Sequence, residues 1–340
     1  MRIELCADPG RSMSEGRISA LPILLLNVHE SCNCRCVMCD IWKRKDGAEL
    51  DLSRFTRHRE SIRALGVRHV VLTGGEPLLH GRFNDLCSFL KDCGVRLTLL
   101  TTGLLLAKRS ASVAENIDEV IVSLDGPEEI HDRIRRVPGG YRLIREGIEK
   151  VRDLNPALLF HCRSTVQKAN HACLRQTAAA ARVLGLNSIS FLAADAKSQA
   201  FNRELIWPDD RQNHIMLTPA EVAALEIEVE NMIRENASDI RAGFIREDES
   251  RLRRIVRRFR EHLGELNPVA PQCNAPWKSA VLEVDGSIRP CFFHPIVGNA
   301  HEQTLEEAVN SAAARQFRAS LRISDDPICS RCVCSLNFRG

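Results

Sequence analysis

The sequence predicts an α/β fold: a partial (β/α)6 barrel followed by a small second domain. Short apolar segments alternate with helix-length polar segments from residue 22 to about residue 195, which is typical of a parallel sheet covered by helices. The most unusual residues stand at the carboxyl ends of those apolar segments, where β/α barrels build their sites. The second domain is predicted because cysteines return after residue 273, around a hairpin whose turn is Asp285-Gly286.

The barrel strands are predicted from six apolar runs, separated by polar stretches long enough for a helix. Six such units suggest an incomplete barrel, so we expect it to be open at the side, with room for a bulky substrate. A doubly wound open sheet is the alternative that the pattern leaves open. The predicted strands span residues 22–29, 68–75, 96–103, 119–126, 157–166 and 187–195.

Changes in composition divide the chain into four segments. They are an N-terminal extension (1–20), the barrel (21–200), a mostly helical insertion or linker (201–270) and the second domain (271–340). Inside the insertion, the segment TPAE at 218–221 is a capping box with proline at the first helical position. This combination predicts the start of a helix.

Composition and charge exclude several classes of protein. Hydrophobic residues make up 44% of the 340 residues, and no apolar run approaches the length of a membrane span. The net charge of +3 is too balanced to predict nucleic-acid binding. The N-terminus lacks the apolar core of a secretion signal. We therefore expect a cytoplasmic chain, in which 14 cysteines favour metal or redox chemistry over disulfides.

One segment concentrates positive charge. RLRRIVRRFR at 251–260 contains six arginines, and its apolar residues recur at i, i+3, i+4 and i+7. This spacing predicts an amphipathic helix. We expect its basic face to be solvated, with contact to an anionic substrate or a redox partner as the alternative.

Four cysteines crowd the segment SCNCRCVMCD at 31–40. Cys32, Cys36 and Cys39 have the spacing C-x3-C-x2-C, with Cys34 as an extra thiol. Three thiolates on one short loop can hold three irons of a 4Fe–4S cluster and leave the fourth iron open for a ligand. A zinc site is the alternative, with His29 as the nearby fourth ligand. A disulfide would need an oxidising compartment, which nothing in the sequence indicates.

This cysteine loop after the first strand, followed by TGGEP after the second, resembles the radical S-adenosylmethionine (SAM) superfamily. The resemblance implies that Cys32, Cys36 and Cys39 bind a 4Fe–4S cluster whose open iron is chelated by SAM. One electron, from a flavodoxin or ferredoxin type of donor, then cleaves SAM to a 5′-deoxyadenosyl radical that removes a hydrogen atom from the substrate. Cys34 is expected to be a bystander.

The resemblance also implies which residues contact SAM. Gly74, Gly75 and Glu76 are expected to meet the methionine amine, and Thr102 of TTG (101–103) stands where the family usually has asparagine. Contacts to the ribose or carboxylate, and neighbours of the adenine, are expected at the ends of the later strands. These are Ser123, Arg163 or Ser164, and then Leu192 and Ala193.

The second group of cysteines is predicted to be a closed four-thiolate site, for which the residues alone allow zinc or a 4Fe–4S cluster. Its spacing resembles the SPASM/Twitch extensions of radical SAM enzymes, and the shorter Twitch form, with one auxiliary 4Fe–4S cluster, is the better match. The implied ligands are Cys273, Cys291, Cys329 and Cys332. In related epimerases a cysteine returns a hydrogen atom to the substrate, so Cys334 and Cys162 are candidates for that role.

These motifs do not identify the substrate. We expect an oxidoreductase that abstracts a hydrogen atom from a small polar metabolite, such as a sugar or cyclitol, and leads to dehydrogenation or epimerisation. The polar residues and the indole that follow the sixth strand suit a polyol. The candidates for substrate contact are Asp195, Arg203 and Trp207.

Two other functions are weighed against this one. The first is maturation of a ribosomal peptide by a thioether or carbon–carbon crosslink, which we expect less because only 31 residues precede Cys32, too few for the leader-binding domain common in such enzymes. The second is a non-enzymatic, cysteine-rich metal-binding protein, which leaves TGGEP unexplained.

Overall fold

The computed structural model describes most of the chain. The described ranges are residues 16–44, 47–200, 206–334 and 336–338. Arg203, one of the predicted substrate contacts, lies outside them.

One mixed sheet runs through the described residues. Its nine strands lie in the order β6-β5-β4-β3-β2-β1-β7-β8-β9. The first six pair in parallel and stand in sequential order, without the reversal that marks a doubly wound sheet. Since the sheet is not closed, the predicted partial barrel is confirmed. The strands are β1 Ile23–His29, β2 His69–Gly74, β3 Arg96–Thr101, β4 Glu119–Ser123, β5 Leu159–Val166, β6 Ser188–Ala193, β7 Ser279–Leu282, β8 Ser287–Arg289 and β9 Gly298–Asn299.

Helices connect the parallel strands and fill the insertion. Short 3-10 turns lie at Ile41–Lys43, Thr56–His58 and Pro77–Leu79. The α-helices of the described ranges are α1 Leu52–Phe55, α2 Arg59–Ala64, α3 Phe83–Asp92, α4 Ser110–Asn116, α5 Glu128–Arg135, α6 Gly140–Leu154, α7 Leu174–Val183, α8 Asp209–Gln212, α9 Pro219–Glu235, α10 Ala237–Arg241, α11 Glu249–His262, α12 Ala275–Lys278, α13 Leu305–Val309, α14 Ala312–Ser320 and α15 Pro327–Ser330.

Alternation along the strands separates two faces. In β4, Val120 and Val122 are fully buried, whereas Glu119, Ile121 and Ser123 are only half-buried. Since successive side chains point to opposite faces of a sheet, one face packs against the helices and the other faces the inside of the barrel. The second face carries the polar groups of the candidate site.

Two helices of the insertion begin and pack as predicted. The Thr218 side chain accepts from the Glu221 N–H and Glu221 closes the capping box, with Pro219 at the first helical position of α9. Helix α11 packs against α9 and β6 through the apolar positions that the spacing predicted. They are Leu252, Ile255, Val256 and Phe259.

The predicted hairpin is β7–β8, and Gly286 takes a φ of +83° in its turn. A Cβ atom at this glycine would lie 2.5 Å from the His301 ring. The hairpin also does something that the sequence did not predict: β7 pairs in parallel with β1, from Ile23 opposite Ser279 to Leu26 opposite Leu282. The second domain therefore extends the barrel sheet. Its predicted boundary at residue 271 stays a prediction.

Within the described ranges, every helix is too short or too polar to cross a bilayer.

Candidate functional site

The first cysteine loop leaves the carboxyl end of β1. His29 still belongs to that strand, and its Nδ1 atom accepts a hydrogen bond from the Ser31 N–H at 3.0 Å. Two donors approach the cysteine sulfurs: the Ile41 N–H lies 3.4 Å from Cys39 Sγ, and the Arg135 guanidinium lies 3.5 Å from Cys36 Sγ. Both contacts stabilise negative charge on sulfur.

The thiols of this loop differ in their readiness to ionise. A hydrogen bond with Cys34 lowers the pKa of Cys36 to about 6, while hydrogen bonds with Cys32 and Cys36 raise the pKa of Cys34. Burial raises the pKa of Cys39 to about 12. Since metals bind thiolates, Cys36 is the most prepared ligand and Cys34 the least. The bystander role of Cys34 stays a prediction.

Arg135 contacts this loop, and the sequence analysis did not single it out. Its side chain is 11% exposed, and its Nε atom lies 2.7 Å from the fully buried carboxylate of Asp125. The end of α5 also holds the loop backbone, because the Val37 N–H donates to the Ile134 carbonyl at 3.1 Å. No short motif could have indicated the contact with Cys36, which spans 99 positions of the chain.

Two glycines let β2 end against the cysteine loop. Gly75 donates to the His29 carbonyl at 2.7 Å, and Glu76 donates to the Ser31 carbonyl at 2.9 Å. A Cβ atom on Gly75 would lie 2.0 Å from the Ser31 oxygen, and one on Gly74, whose φ is +133°, would lie 2.4 Å from the His29 oxygen. Only glycine fits at these two positions.

Glu76 joins the ends of β2 and β3. Its fully buried carboxylate accepts from the N–H groups of Leu78 and Thr102 at 3.0 and 2.7 Å, and from the Thr101 hydroxyl at 2.8 Å. The Thr102 hydroxyl lies 2.7 Å away. Burial raises the pKa of Glu76 in spite of these donors. The carboxylate is thus oriented rigidly, and its contact with a cofactor amine stays a prediction.

Asn33 contributes a donor that the chain itself does not satisfy. Its Oδ1 atom lies 2.9 Å from the Thr102 hydroxyl. Its Nδ2 atom is buried and has no hydrogen-bond partner among the described residues. An acceptor atom of a bound ligand would satisfy this buried amide donor. The sequence analysis did not single out Asn33, although it lies between two of the loop cysteines.

Only some of the residues predicted to contact the ribose, carboxylate or adenine of SAM lie on the same face of β4, β5 and β6. Ser123 and Arg163 are register neighbours, and Arg163 Nε donates to the Ser190 hydroxyl at 3.3 Å. Leu192 shares that face and is half-buried. Two of the predicted contacts alternate to the opposite face and are 1% and 2% exposed; they are Ser164 and Ala193. The structure therefore offers Arg163 and Leu192 for these roles.

The same alternation applies to Cys162. It is 1% exposed and shares its face of β5 with Phe160, which packs under Arg152 of α6. Burial raises the pKa of the Cys162 thiol. A thiol on the helix-covered face is poorly placed to return a hydrogen atom to a substrate, so Cys334 is the better candidate of the two.

The second group of cysteines also converges. Its four predicted ligands come from the segments before α12, after β8 and around α15. Burial raises the pKa of Cys291 to about 11 and of Cys329 to about 12, and Cys273 adds a like charge beside both. All cysteines of the described residues are free of disulfides. The four thiols influence one another's ionisation, as the ligands of one iron–sulfur cluster would.

His294 is a further group at this second site that the sequence analysis missed. It is 2% exposed, and its Nε2 atom lies 3.2 Å from Cys329 Sγ and 3.8 Å from Asp326 Oδ1. These three side chains could hold a metal ion by themselves. The sequence signal was weak, because CFFHP contains a single histidine three positions after a cysteine.

Cys334 connects the second site with the barrel face. Burial raises the pKa of its thiol, and Arg163 and Asp195, at the ends of β5 and β6, are the next charges that influence it. Asp195 Oδ1 accepts from the Lys197 N–H at 3.1 Å. The charges that act on this thiol thus come both from the second cysteine group, through Cys273, and from the barrel, through Arg163 and Asp195.

Trp207, a predicted substrate contact, packs against the first cysteine loop. It is 4% exposed, and its indole N–H donates to Asp40 Oδ2 at 2.8 Å. Arg211 stacks on the indole at 3.9 Å and also pairs with Asp40. Trp207 therefore clamps the insertion to the residue after Cys39, and its burial leaves little indole surface for a polyol.

Comparison with known proteins matches two parts of the chain. Residues 26–162 match the Radical SAM superfamily. Residues 273–333 match SPASM, an iron–sulfur cluster-binding domain.

Individual relatives are distant. AdoMet-dependent heme synthase of Methanosarcina barkeri is 29% identical over 159 residues, which is 45% of this chain and 45% of that protein. The antilisterial bacteriocin subtilosin biosynthesis protein AlbA of Bacillus subtilis is 22% identical over 296 residues, which is 82% of this chain and 57% of that protein. The chain spans less than half the length of the heme synthases it matches.

Solved structures share the fold. The structure of Streptococcus suis SuiB bound to precursor peptide SuiA aligns with a TM-score of 0.64 at 14% identity, and the alignment covers 96% of this chain and 74% of that chain. The likeness therefore extends over the barrel, the insertion and the second domain.

Proposed function

Because the chain carries a Radical SAM domain and a SPASM domain, with S-adenosylmethionine and iron–sulfur clusters as cofactors, we propose that it is an enzyme that crosslinks a peptide. One observation carries this proposal. The similarity to AlbA, named for bacteriocin biosynthesis, extends over 82% of this chain, whereas the similarity to a heme synthase or a GTP 3′,8-cyclase is confined to 45% and 42%. The proposed bond is a thioether or a carbon–carbon bond.

The residues of each site fit their cofactor. Cys32, Cys36 and Cys39 would hold the first 4Fe–4S cluster, with SAM on its open iron. The second cluster would be held by the four thiolates of the SPASM domain, Cys273, Cys291, Cys329 and Cys332. When bound, the first cluster and SAM supply a 5′-deoxyadenosyl radical that can remove a hydrogen atom from a C–H bond.

The remaining groups of the barrel would position the cofactor. Glu76, held by four donors, is oriented for the methionine amine. Arg163 and Ser123 lie side by side for the carboxylate or ribose. The unpartnered Asn33 amide is a donor for a cofactor acceptor, in place of the asparagine that Thr102 replaces. Fixed donors of this kind bind without reorganisation.

The electron balance of a crosslink suits a chain with two cysteine sites. Forming a thioether from a thiol and a C–H bond removes two hydrogen atoms from the peptide. One is the abstracted hydrogen atom, and the other leaves as a proton and an electron. The electron needs an acceptor, for which we propose the SPASM site; the charges of Arg163 and Asp195 on the barrel act on Cys334 of that domain.

The experiment is co-expression with small open reading frames that neighbour the gene, followed by mass spectrometry of the peptides. We expect one peptide to lose two hydrogen atoms with the wild-type enzyme and none with Cys36→Ala. Cys93→Ala is the matched control, because this cysteine lies outside both groups. Unchanged peptides, together with SAM cleavage that responds to a small metabolite, would overturn the peptide proposal.

A small polar metabolite is the second candidate, supported by relatives that are named for a heme and a nucleotide reaction. Deuterated sugars and cyclitols test it. Transfer of deuterium into 5′-deoxyadenosine from one of them would establish this candidate, and transfer from a deuterated peptide would establish the first.

A further inference from the structure

Four of the six arginines of α11 fall into two groups that the sequence does not distinguish. Arg253 and Arg260 are paired with carboxylates of α9: Arg253 donates to Glu230 at 2.7 and 2.9 Å, and Arg260 donates to Glu226 at 2.6 Å. These residues form the solvated basic face that was expected. The other group turns toward the SPASM domain.

Arg258 and Arg254 form that second group, one helical turn apart. Arg258 is 8% exposed, and its guanidinium donates to the carbonyls of Ser330 and Val269, both at 2.7 Å. It also pairs with Glu261 at 2.5 Å. Arg258 is therefore a clamp whose charge is compensated by its neighbour.

Arg254 differs from every other arginine of the helix. Its guanidinium donates to the Cys332 carbonyl at 3.0 Å, and no carboxylate among the described residues lies within ion-pair distance. The negative groups that act on it are, in decreasing order of influence, Cys332, Glu261 and Cys334. An arginine stays charged in a protein even when it is half-buried. Among the described residues, Arg254 is thus a cation without an ion-paired carboxylate, beside a predicted cluster ligand.

We infer that Arg254 raises the reduction potential of the auxiliary iron–sulfur cluster. A 4Fe–4S cluster with four thiolates carries two net negative charges when oxidised and three when reduced, and its potential depends on the surrounding charge. A fixed positive charge at Cys332 favours the reduced form, because the attraction grows with the charge of the cluster. The inference rests on the auxiliary cluster and is independent of whether the substrate is a peptide.

The test is an EPR-monitored redox titration of the reconstituted full chain. A background in which Cys32, Cys36 and Cys39 are alanine leaves the auxiliary cluster as the only source of signal. In this background we expect Arg254→Gln to lower the equilibrium constant for reduction of the cluster about tenfold. For a one-electron couple this lowers the reduction potential by about 59 mV. Arg254→Lys, which keeps the charge, should stay close to the wild-type arginine.

Arg253→Gln is the matched control, because Arg253 is on the same helix but pairs with Glu230. It should leave the potential unchanged. Iron content, about 4 per chain in this background, shows whether the cluster is intact.

An Arg254→Gln protein with full iron and an unshifted potential would overturn the inference. So would the loss of iron from both Arg254 variants, because Arg254 would then be a structural clamp like Arg258. A background protein with Arg254 intact that binds no iron would instead contradict the auxiliary cluster itself.

Discussion

The two cysteine sites differ in how the chain assembles them. The first takes its three predicted ligands from one loop, in which a hydrogen bond with Cys34 already lowers the pKa of Cys36 to about 6. The second collects its ligands from three separate segments, and burial raises the pKa of Cys291 and Cys329 to about 11 and about 12. The first loop is therefore prepared at Cys36 alone, since Cys39 and the ligands of the second site must lose protons as they bind metal, and the second site must also assemble from distant segments.

Cys36→Ala gives the largest expected effect, because it removes the ligand that the chain prepares most. We expect SAM cleavage to fall by at least about a hundredfold and iron to fall from about 8 to about 4 per chain, with the fold retained. Cleavage of SAM under dithionite and iron analysis check this. Cys93→Ala should behave as wild type, and a Cys36→Ala protein that cleaves SAM normally would contradict the ligand assignment.

Cys291→Ala tests the other half of the comparison. Iron should again fall to about 4 per chain, but here the second domain should also loosen, because its segments are held together by the metal. Hydrogen exchange should show faster exchange in β7 and β8. Protection equal to wild type would mean that this site too is preformed.

Arg135→Gln tests whether the first loop depends on its buried ion pair. The change leaves the Asp125 carboxylate buried without its cation, and we expect a loss of about 3 to 5 kcal/mol in the free energy of unfolding. Denaturant unfolding of the reconstituted protein measures it. Arg133→Gln, an exposed position of the same helix, should change stability little. Equal losses in both variants would argue against the ion pair.

Glu247 follows the residue that bridges the outer edge of β6, Ile245, and its carboxylate accepts from the Phe191 N–H at 2.9 Å. Burial raises its pKa from 4.5 to about 7. Since the folded chain binds this proton more tightly than the unfolded chain, the stabilisation is full below about pH 4.5 and is lost as the pH rises through 7. In wild type, this group should change the free energy of unfolding by up to about 3 kcal/mol between low and high pH, and Glu247→Gln should remove that change. The thermal midpoint of unfolding, followed as a function of pH, measures it. Glu249→Gln is the control and should keep the wild-type dependence of the midpoint on pH. The same dependence in Glu247→Gln would contradict the prediction.

Cys34→Ala should have the smallest effect. If Cys34 is a bystander, iron content should stay at about 8 per chain and SAM cleavage within about twofold of wild type. Loss of iron would show that Cys34 is a ligand. It would also weaken the comparison of the two sites, because Cys34 would then no longer serve only as the hydrogen-bond donor to Cys36.

The sequence predicted what depends on short-range pattern. The six parallel strands, the capping box at Thr218, the hairpin turn at Gly286 and the apolar face of α11 depend on neighbours within a few positions, and all are confirmed. The two cysteine groups follow from spacing in the same way. Periodicity and turn chemistry act locally, so one sequence is enough to read them.

Contacts between distant segments could not be predicted. Arg135 meets Cys36 across 99 positions and Trp207 meets Asp40 across 167. Nothing in RLRRIVRRFR separates Arg254 from Arg253, because the difference depends on what packs against each face of the helix. The faces of Ser164 and Ala193 were missed for another reason: in a strand, a shift of one residue exchanges the two faces.

The pairing of β7 with β1 has a consequence for attempts to divide the protein. A chain cut before β7 would leave the backbone of residues 23–26 unpaired along one side, and an apolar strand edge of that kind invites intermolecular strand addition. The C-terminal hairpin thus shields the barrel from self-association. Grafting the catalytic half onto another scaffold would require carrying Ser279–Leu282 along, whatever metal the rest of the segment binds.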